Sequence, residues 1–322
     1  MNVLSNIYGQ VRQTYVAYKS YQRQYQTNKE RQVRFYNWWS EPYEQLWLYR
    51  FVKSRNIVPN DKVLNFMSVF GKSEVADFIK DGPIVFFSGE NLHNEDHLSY
   101  TNCLLNHTNV KLAMGYDCFE EPDYMRFPLW IPFLFDPALD ETGIKKRCEE
   151  MRYPQIGQRN KFAALVARYD WNGTRSEIYN AIHDIAPIGC PSAVLHNDDD
   201  LKNKYHDNKI DYLRQFAFNI CPENSNSYGY VTEKAFEAIA AGCIPIYWGS
   251  YNMPEPGILN QDAIIKWNMN GDNGSNIALM KDLYTHPDSL EEFMAQPRLL
   301  PQAEEQIIEM IQQLEQRLKD LL

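Results

Sequence analysis

Five polar side chains crowd into the twelve positions from 223 to 234, and together they could hold a phosphorylated ligand. They are Glu223, Asn224, Tyr230, Glu233 and Lys234. A hydrophobic core needs none of these groups, so a binding site explains them better than packing does. A helix is predicted to begin at the last of them, and its free N–H groups would suit a diphosphate. Lys234 adds a full charge, and Glu233 offers acceptor oxygens for ribose or sugar hydroxyls.

Two strands and a helix must position these side chains. The apolar run 216–220 predicts a strand, residues 232–241 predict a helix, and residues 244–248 predict a second strand. Gly242, between helix and second strand, is well placed to cap the helix. This order indicates βα units in a parallel sheet, whose ligands lie beyond the carboxyl ends of the strands.

A second candidate for phosphate binding is Arg175. It begins a helical stretch that follows the predicted strand 161–167. A guanidinium there could hold phosphate oxygens in a bidentate way. Arg168, at the end of that strand, is a rival, although a surface position without a role is the simpler interpretation of it.

A candidate general base follows another predicted strand. The run 83–88 is apolar, rich in β formers and bounded by glycines, and Glu90 and Asn91 come directly after it. A carboxylate beyond the carboxyl end of a buried parallel strand is well placed to accept a proton from a ligand.

Aromatic and acidic residues in the first half of the chain are candidates for an acceptor cleft. They are Trp38, Trp39, Asn91, Asp117, Glu120 and Glu121. Exposed Trp rings stack on sugar rings, but core packing explains the two tryptophans equally well. Solvated loops are the simpler interpretation of the acids.

Charge and spacing exclude several classes of protein. The formal net charge of −10 argues against a nucleic-acid partner, because such binding depends on phosphate neutralisation. No GxGxxG follows a strand, and no P-loop occurs. Asp198–Asp200 contains a D-x-D word that could hold a divalent ion, but no strand precedes it, so we interpret it as a solvated loop. We therefore predict no metal site.

The cysteines and the hydropathy pattern favour a cytoplasmic location. Six cysteines show no CxxC and no regular spacing, which is typical of reduced thiols. No apolar run approaches the ~20 residues of a membrane span, and no signal-peptide pattern begins the chain. Contact with the inner membrane would be peripheral.

Composition divides the chain into four parts. We predict a basic helical extension at 1–31, an α/β domain at 32–155, a second α/β domain at 156–296 and a helix at 297–322. The boundary near 155 rests on the charged, loop-like composition of residues 136–160.

Both terminal helices leave two interpretations open. In the first, tyrosines at helical spacing and an excess of Lys and Arg fit either a membrane surface or packing on the body. In the last, apolar residues alternate steps of four and three, which fits either a packed helix or a dimer zipper. These residues are Ile307, Ile311, Leu314, Leu318 and Leu321.

Three sequence words resemble glycosyltransferase family 10, the α-1,3/1,4-fucosyltransferases. They are E-N-S at 223–225, Y-V-T-E-K at 230–234 and I-P-I-Y-W-G at 244–249. The resemblance covers about 32–290 and is weaker around Glu90 and Arg175. Pro222 departs from it, because relatives often carry Phe there. The resemblance implies a GT-B fold, with two Rossmann-like domains facing across a cleft.

The resemblance also implies roles for the site residues. The matching Asn, Tyr, Glu and Lys would contact GDP-fucose, Arg175 would grip its diphosphate, and Glu90 would be the catalytic base. The implied reaction is inverting transfer of fucose to a hydroxyl of N-acetylglucosamine in a lactosamine-type glycan, without a required metal. The product would be an α-1,3 fucoside of Lewis type, with α-1,4 as an alternative.

Further interpretations remain open at this point. With no predicted membrane span, the chain resembles the bacterial branch of the family. That branch acts on surface polysaccharide precursors such as those of lipopolysaccharide. Another GDP-sugar could be the donor in place of GDP-fucose, since the three sequence motifs indicate the nucleotide more specifically than the sugar. A non-catalytic glycan-binding or scaffold protein is the alternative outside the enzymes.

Overall fold

The computed structural model describes residues 3–154 and 159–322, which divide into two compact α/β units. Unit 1 comprises residues 1–132, 136–138 and 309–322, and unit 2 comprises residues 133–135 and 139–308. Each unit is built on its own five-stranded sheet of parallel strands, which confirms the predicted α/β class.

The sheet of unit 1 follows chain order from edge to edge. Its strands are β1 (Val33–Tyr36), β2 (Leu64–Met67), β3 (Ile84–Phe87), β4 (Val110–Gly115) and β5 (Tyr124–Arg126). Every residue of the first three strands is buried. Near-continuous apolar runs of this kind are typical of a parallel sheet that is covered on both faces.

Four α-helices and three 3₁₀ helices accompany the strands of unit 1. The α-helices are α1 (Val3–Asn28), α2 (Trp47–Ser54), α3 (Thr101–Leu105) and α4 (Trp130–Leu134), the last of which ends in unit 2. Three 3₁₀ helices lie at Tyr43–Gln45, Ser73–Phe78 and Glu95–Tyr100. Tyr36, Met67, Phe86, Ala113 and Tyr124 lie in one buried cluster, so all five strands contribute to the core.

The sheet of unit 2 has the doubly wound order β10-β9-β8-β6-β7. Its strands are β6 (Lys161–Ala164), β7 (Ile188–Gly189), β8 (Phe216–Ile220), β9 (Ile244–Tyr247) and β10 (Ile265–Lys266). The chain first adds β7 on one side of β6 and then returns to add β8 on the other. This reversal creates a topological switch point between β6 and β8.

Eight helices of the described residues begin in unit 2. They are α5 (Glu141–Arg152), α6 (Thr174–Ile182), α7 (Asp200–Asn203), α8 (Lys209–Leu213), α9 (Glu233–Ala240), α10 (Gly274–Thr285), α11 (Pro287–Met294) and α12 (Ala303–Asp320). Two 3₁₀ helices lie at Ser250–Asn252 and Gln261–Ala263. From residue 309 onward α12 belongs to unit 1.

The elements predicted around the main site are confirmed. Strand β8 has the predicted bounds, and β9 and α9 differ from prediction by a residue at one or both ends. Gly242 has φ +78°, and Cys243 donates from its N–H to the carbonyl of Ala238. That bond is the mark of a Schellman cap, which ends α9 where the sequence predicts.

The region predicted to be loop-like is mostly a helix. Residues 141–152 form α5, which begins at the N-cap Asp140, whose Oδ1 accepts from the N–H of Gly143. Ile144, Cys148 and Met151 are buried and give the charged helix one apolar face. The units divide near residues 133–139, earlier than the predicted boundary at 155, because α5 packs within unit 2. Part of the predicted boundary, residues 155–158, lies outside the described residues.

Helix α1 agrees with the packing interpretation in its second half and is exposed in its first half. Its second half packs on unit 1, where the ring of Tyr21 stacks on Tyr36 and Phe78. Its first half leaves large side chains in solvent, among them Tyr8 and Tyr15, which are 74% and 60% exposed. No helix among the described residues is long and apolar enough to cross a membrane.

The heptad face of α12 is buried within the chain. Ile307, Ile311, Leu314 and Leu318 are all nearly inaccessible to solvent. The structure therefore agrees with the packed helix rather than with a zipper through this face. All six cysteines are free thiols, and five of them are buried.

Candidate active site

A cavity of about 260 Å³ lies in unit 2 at the carboxyl ends of β6 and β8, the two strands of the switch point. Ligands of doubly wound sheets bind at this place. Residues that follow both strands line the cavity, and so do side chains of α6, α8 and α9. Of the predicted donor residues, Arg175, Asn224, Glu233 and Lys234 line it.

Glu223 is a structural carboxylate rather than an open ligand. Its side chain is fully buried, and its oxygens accept from the N–H of Thr232 at 2.8 Å and from the Thr232 hydroxyl at 2.6 Å. Lys234 Nζ donates to the same carboxylate at 3.1 Å. A Cβ on Gly249 would lie 2.7 Å from Cγ of Glu223, so glycine is required beside it. Glu223 therefore positions the start of α9.

Lys234 lies between two carboxylates and a hydroxyl. Besides Glu223, Nζ contacts Thr232 Oγ1 at 2.6 Å and Glu233 Oε1 at 3.5 Å. Burial opposes its charge, but Glu223 and Glu233 outweigh burial and raise the pKa of Lys234 above its usual value. In the same way burial opposes ionisation of Glu233, but Lys234 and Lys209 hold its pKa below the usual value.

Arg175 has a donor to spare. Its Nη2 donates to the carbonyl of Pro222 at 3.1 Å and to Oδ1 of Asn224 at 3.0 Å. Its Nη1 is buried and makes no hydrogen bond with any described residue. Burial lowers the pKa of Arg175, although nearby carboxylates oppose this. A buried guanidinium N–H without a partner is costly, and an anion in the cavity would satisfy it.

The N-termini of α6 and α9, two of the three helices that line the cavity, already hold carboxylates of the protein. Asp170 accepts from the N–H groups of Arg175 and Ser176, at 3.0 and 2.9 Å, where α6 begins. Glu223 does the same for α9 through Thr232. The prediction that the start of α9 binds a diphosphate is therefore modified. Side-chain cations, Arg175 first, are the groups left for an anion.

Sequence reasoning missed two polar residues that line the cavity, Lys209 and Asn219, and the partner of Lys209. Lys209 on α8 pairs with Glu237 on α9 at 2.5 Å, and burial raises the pKa of Glu237. Asn219 lies inside β8, and its carboxamide nitrogen and oxygen are both buried without a partner among the described residues. A polar residue within the apolar run F-A-F-N-I is a signal that could have identified Asn219. The Lys209–Glu237 pair depends on packing between helices, which leaves no local signal.

Of the remaining candidates in unit 2, only Arg168 lines the cavity. Tyr230 is buried at the beginning of the helix region and does not appear among the residues that line the cavity. Arg168 lines the cavity at its exposed rim. Asp198 accepts from the hydroxyl of Tyr212 at 2.7 Å, and Asp200 pairs with Lys204 at 2.9 Å. The described residues contain no group of three or more His, Cys, Asp or Glu suited to a metal ion.

Glu90 lies beyond the carboxyl end of β3 in unit 1, as predicted. The hydroxyl of Ser88 accepts from the N–H of Glu90 at 3.1 Å and donates to its carbonyl at 3.0 Å, which holds the turn. A Cβ on Gly89 would lie 2.7 Å from the side chain of Leu129, so this turn also requires glycine. The side chain of Glu90 is half-buried.

The neighbouring loop organises a second polar group. Asn91 is buried, and its Oδ1 accepts from the hydroxyl of Tyr116 at 2.6 Å and from the N–H of His93 at 3.0 Å. Nε2 of His93 lies 2.8 Å from Oδ1 of Asp117, which follows β4. Asn91 thus acts as a positioning residue, and Asp117 orients an accessible imidazole that the sequence did not single out.

The other acceptor candidates differ in their surroundings. Trp38 and Trp39 are half-buried, with ring centroids 5.1 Å apart, and Trp39 also packs against Phe70 at 5.0 Å. Both therefore pack and retain an accessible part. Glu120 and Glu121 are exposed, and the structure gives them no shared site.

Comparison with known proteins identifies relatives of both halves of the chain. Residues 33–133 match the "Alpha-(1,3)-fucosyltransferase FucT N-terminal domain", and residues 156–295 match "Glycosyltransferase family 10 (fucosyltransferase) C-term". Over 251 residues the chain is 27% identical to the alpha-(1,3)-fucosyltransferase FucT of Helicobacter pylori. That match covers 66% of this chain and 49% of the relative, so the chain spans about half of the relative's length.

Solved structures show the same fold. The crystal structure of an alpha1,3-fucosyltransferase with GDP-fucose has a TM-score of 0.58 to this chain, at 20% identity. Another crystal structure of an alpha1,3-fucosyltransferase has a TM-score of 0.60, also at 20% identity. Each of the two matches covers 88% of this chain and 89% of the chain in the solved structure. At this identity they establish the fold, two Rossmann-like units of the GT-B type.

Proposed function

Because this chain belongs to glycosyltransferase family 10, the fucosyltransferases, we propose that it transfers fucose from GDP-fucose to a sugar hydroxyl. One observation carries this proposal. The cavity at the switch point of unit 2 contains the buried guanidinium of Arg175, and its Nη1 makes no hydrogen bond with the part of the chain that the structure describes. A nucleoside diphosphate would supply the missing acceptor oxygens. Membership of a fucosyltransferase family supports fucose as the sugar attached to it.

The chemistry is a single displacement with inversion. Glu90 takes the proton of the acceptor hydroxyl, and that oxygen forms a bond to the anomeric carbon of fucose. The bond between that carbon and the phosphate oxygen breaks, and its electron pair leaves with GDP. Arg175, with Lys209 and Lys234 nearby, stabilises the charge that develops on the diphosphate. This transfer needs one base, whereas most glycoside hydrolases use two carboxylates.

The acceptor we propose is a hydroxyl of N-acetylglucosamine in a lactosamine-type glycan. The resulting fucoside would be α-1,3-linked, with α-1,4 as the alternative, and of Lewis type. The name of the Helicobacter pylori relative supports α-1,3. In unit 1, Trp38, Trp39 and the His93–Asp117 pair offer stacking and hydrogen-bonding groups for a sugar ring. Surface polysaccharide precursors of bacteria carry acceptors of this class.

A second proposal concerns location. The exposed half of α1 presents Tyr8, Val11 and Tyr15 on one stripe, and Arg12 and Lys19 lie beside it. The sequence of α1 contains no acid, although the whole chain is acidic. Such a helix fits the surface of an anionic membrane, while the remainder of the protein stays in the cytoplasm. Sedimentation with anionic vesicles, but not with zwitterionic ones, would test this.

The test of the activity uses purified protein, GDP-fucose and N-acetyllactosamine, with EDTA present. We expect free GDP and a fucosylated product, and NMR of that product would determine the linkage. GDP without fucosylated product would contradict the acceptor. If neither forms, even after manganese is added, the proposal fails. Another GDP-sugar or glycan binding without catalysis would then explain the chain better.

A further inference from the structure

A short loop in unit 2 exposes two large aromatic rings side by side. Tyr169 is 54% exposed and Trp171 is 76% exposed. Their ring centroids lie 5.1 Å apart, and the planes differ by 25°, so the rings are stacked. Two adjacent rings this exposed are unusual, because proteins avoid contiguous apolar surface that has no partner.

The loop holds these rings in place. Asp170, which lies between them in sequence, accepts from the N–H groups of Arg175 and Ser176, and from the Ser176 hydroxyl at 2.7 Å. Asn172 donates from Nδ2 to the carbonyl of Asn224 at 3.2 Å, which ties the loop to the opposite wall of the cavity. The aromatic pair is therefore preorganised, and a ligand would pay little entropy to order it.

The pair lies at the edge of the cavity that contains Arg175. Tyr169 and Arg175 both line that cavity, and one seven-residue segment, 169–175, carries the aromatic pair at its start and the guanidinium at its end. The cavity volume of about 260 Å³ is at the small end for a ligand pocket. A nucleotide sugar whose diphosphate reaches Arg175 must extend past the rim of the cavity.

We propose that the outward face of Trp171, backed by Tyr169, stacks on the nucleobase of the donor. A nucleoside diphosphate has a flat aromatic base at one end and anionic oxygens at the other, which matches the two ends of segment 169–175. The inference rests on the proposed function and adds a residue that contributes affinity for the nucleotide. Stacking of a base on an aromatic side chain is sequence-tolerant, so Trp171 adds affinity and hydrogen bonds elsewhere select guanine.

The test measures binding to the full-length chain by titration calorimetry, with GDP and with pyrophosphate as separate ligands. Trp171→Ala should weaken GDP binding by about 5- to 150-fold, the range for loss of one stacked base. Pyrophosphate binding should not change, because Arg175 remains. Trp171→Phe should restore most of the GDP affinity. Tyr153→Ala, which removes an aromatic ring that is 55% exposed and lies outside this cavity, is the matched control and should bind GDP normally.

Two results would overturn the inference alone. Unchanged GDP affinity in Trp171→Ala would exclude stacking on the base. A rise in the KM for the acceptor, with GDP affinity unchanged, would assign the platform to the acceptor sugar instead. A wild-type protein that binds no GDP would overturn the proposed function itself, and the stacking with it.

Discussion

Nη2 of Arg175 donates a hydrogen bond to Oδ1 of Asn224 across 3.0 Å, while its Nη1 is buried and has no hydrogen-bond partner in residues 3–154 and 159–322. One guanidinium thus orders the loop after β8 and keeps a donor for a ligand. Lys234, by contrast, is occupied by Glu223, Glu233 and Thr232. We therefore propose Arg175 as the principal anion-binding group of the cavity.

The spare donor predicts a large effect of Arg175 on GDP binding. Arg175→Ala should weaken GDP binding by about 10- to 150-fold, the value of one or two charge-assisted hydrogen bonds. Arg168→Ala, at the exposed rim, is the matched control and should have a smaller effect. Titration calorimetry would measure both. Equal losses in the two variants would show that general positive charge, not the guanidinium of Arg175, binds the diphosphate.

Glu223→Ala should reduce stability strongly. It would leave the N–H and hydroxyl of Thr232 and the ammonium of Lys234 without their carboxylate. Removal of one partner of a buried ion pair costs about 3–5 kcal/mol. Urea unfolding would measure the loss, and Glu233→Ala, which removes a more accessible carboxylate, is the control. If Glu223→Ala kept its stability and lost only GDP affinity, Glu223 would be a ligand-contacting residue.

Glu90→Gln should lower turnover by about 10²- to 10⁴-fold, the usual contribution of a general base. Affinity for GDP should stay the same, because Glu90 belongs to unit 1 and the cavity to unit 2. His93→Gln is an informative companion, since it alters the Asp117 pair but retains the base. A parallel fall of GDP affinity and turnover in Glu90→Gln would contradict its role as the base.

Glu233 should add an acid-sensitive contribution to stability. Burial opposes its ionisation, but Lys234 and Lys209 hold its pKa in the folded protein below the usual 4.5. Its stabilisation is thus present above pH 4.5 and is lost as pH falls through the lower folded value. Glu233→Gln should flatten this acid limb in thermal melts. Burial raises the pKa of Glu237, so the contribution of Glu237 to stability falls as pH rises through that pKa. Glu237→Gln should remove this fall, which is the opposite pH dependence to that of Glu233.

The sequence predicts the elements of the site better than their internal bonding. Apolar runs identified β8 and β9, and the polar cluster before α9 marked the cavity. The sequence could not show that the Glu223 side chain is buried, because its partner Thr232 lies nine residues away and reaches it only in the folded loop. The sequence did not predict helix α5, because the helix is highly charged and only three buried side chains give it an apolar face. The Lys209–Glu237 pair likewise forms only where α8 packs on α9.

The most direct test of the central claim is the ratio of GDP released to fucosylated N-acetyllactosamine formed, followed by mass spectrometry over time. We expect one GDP for each fucosylated product in the wild type, and neither above background in Glu90→Gln. Binding of N-acetyllactosamine with no GDP released and no fucosylated product would contradict the claim.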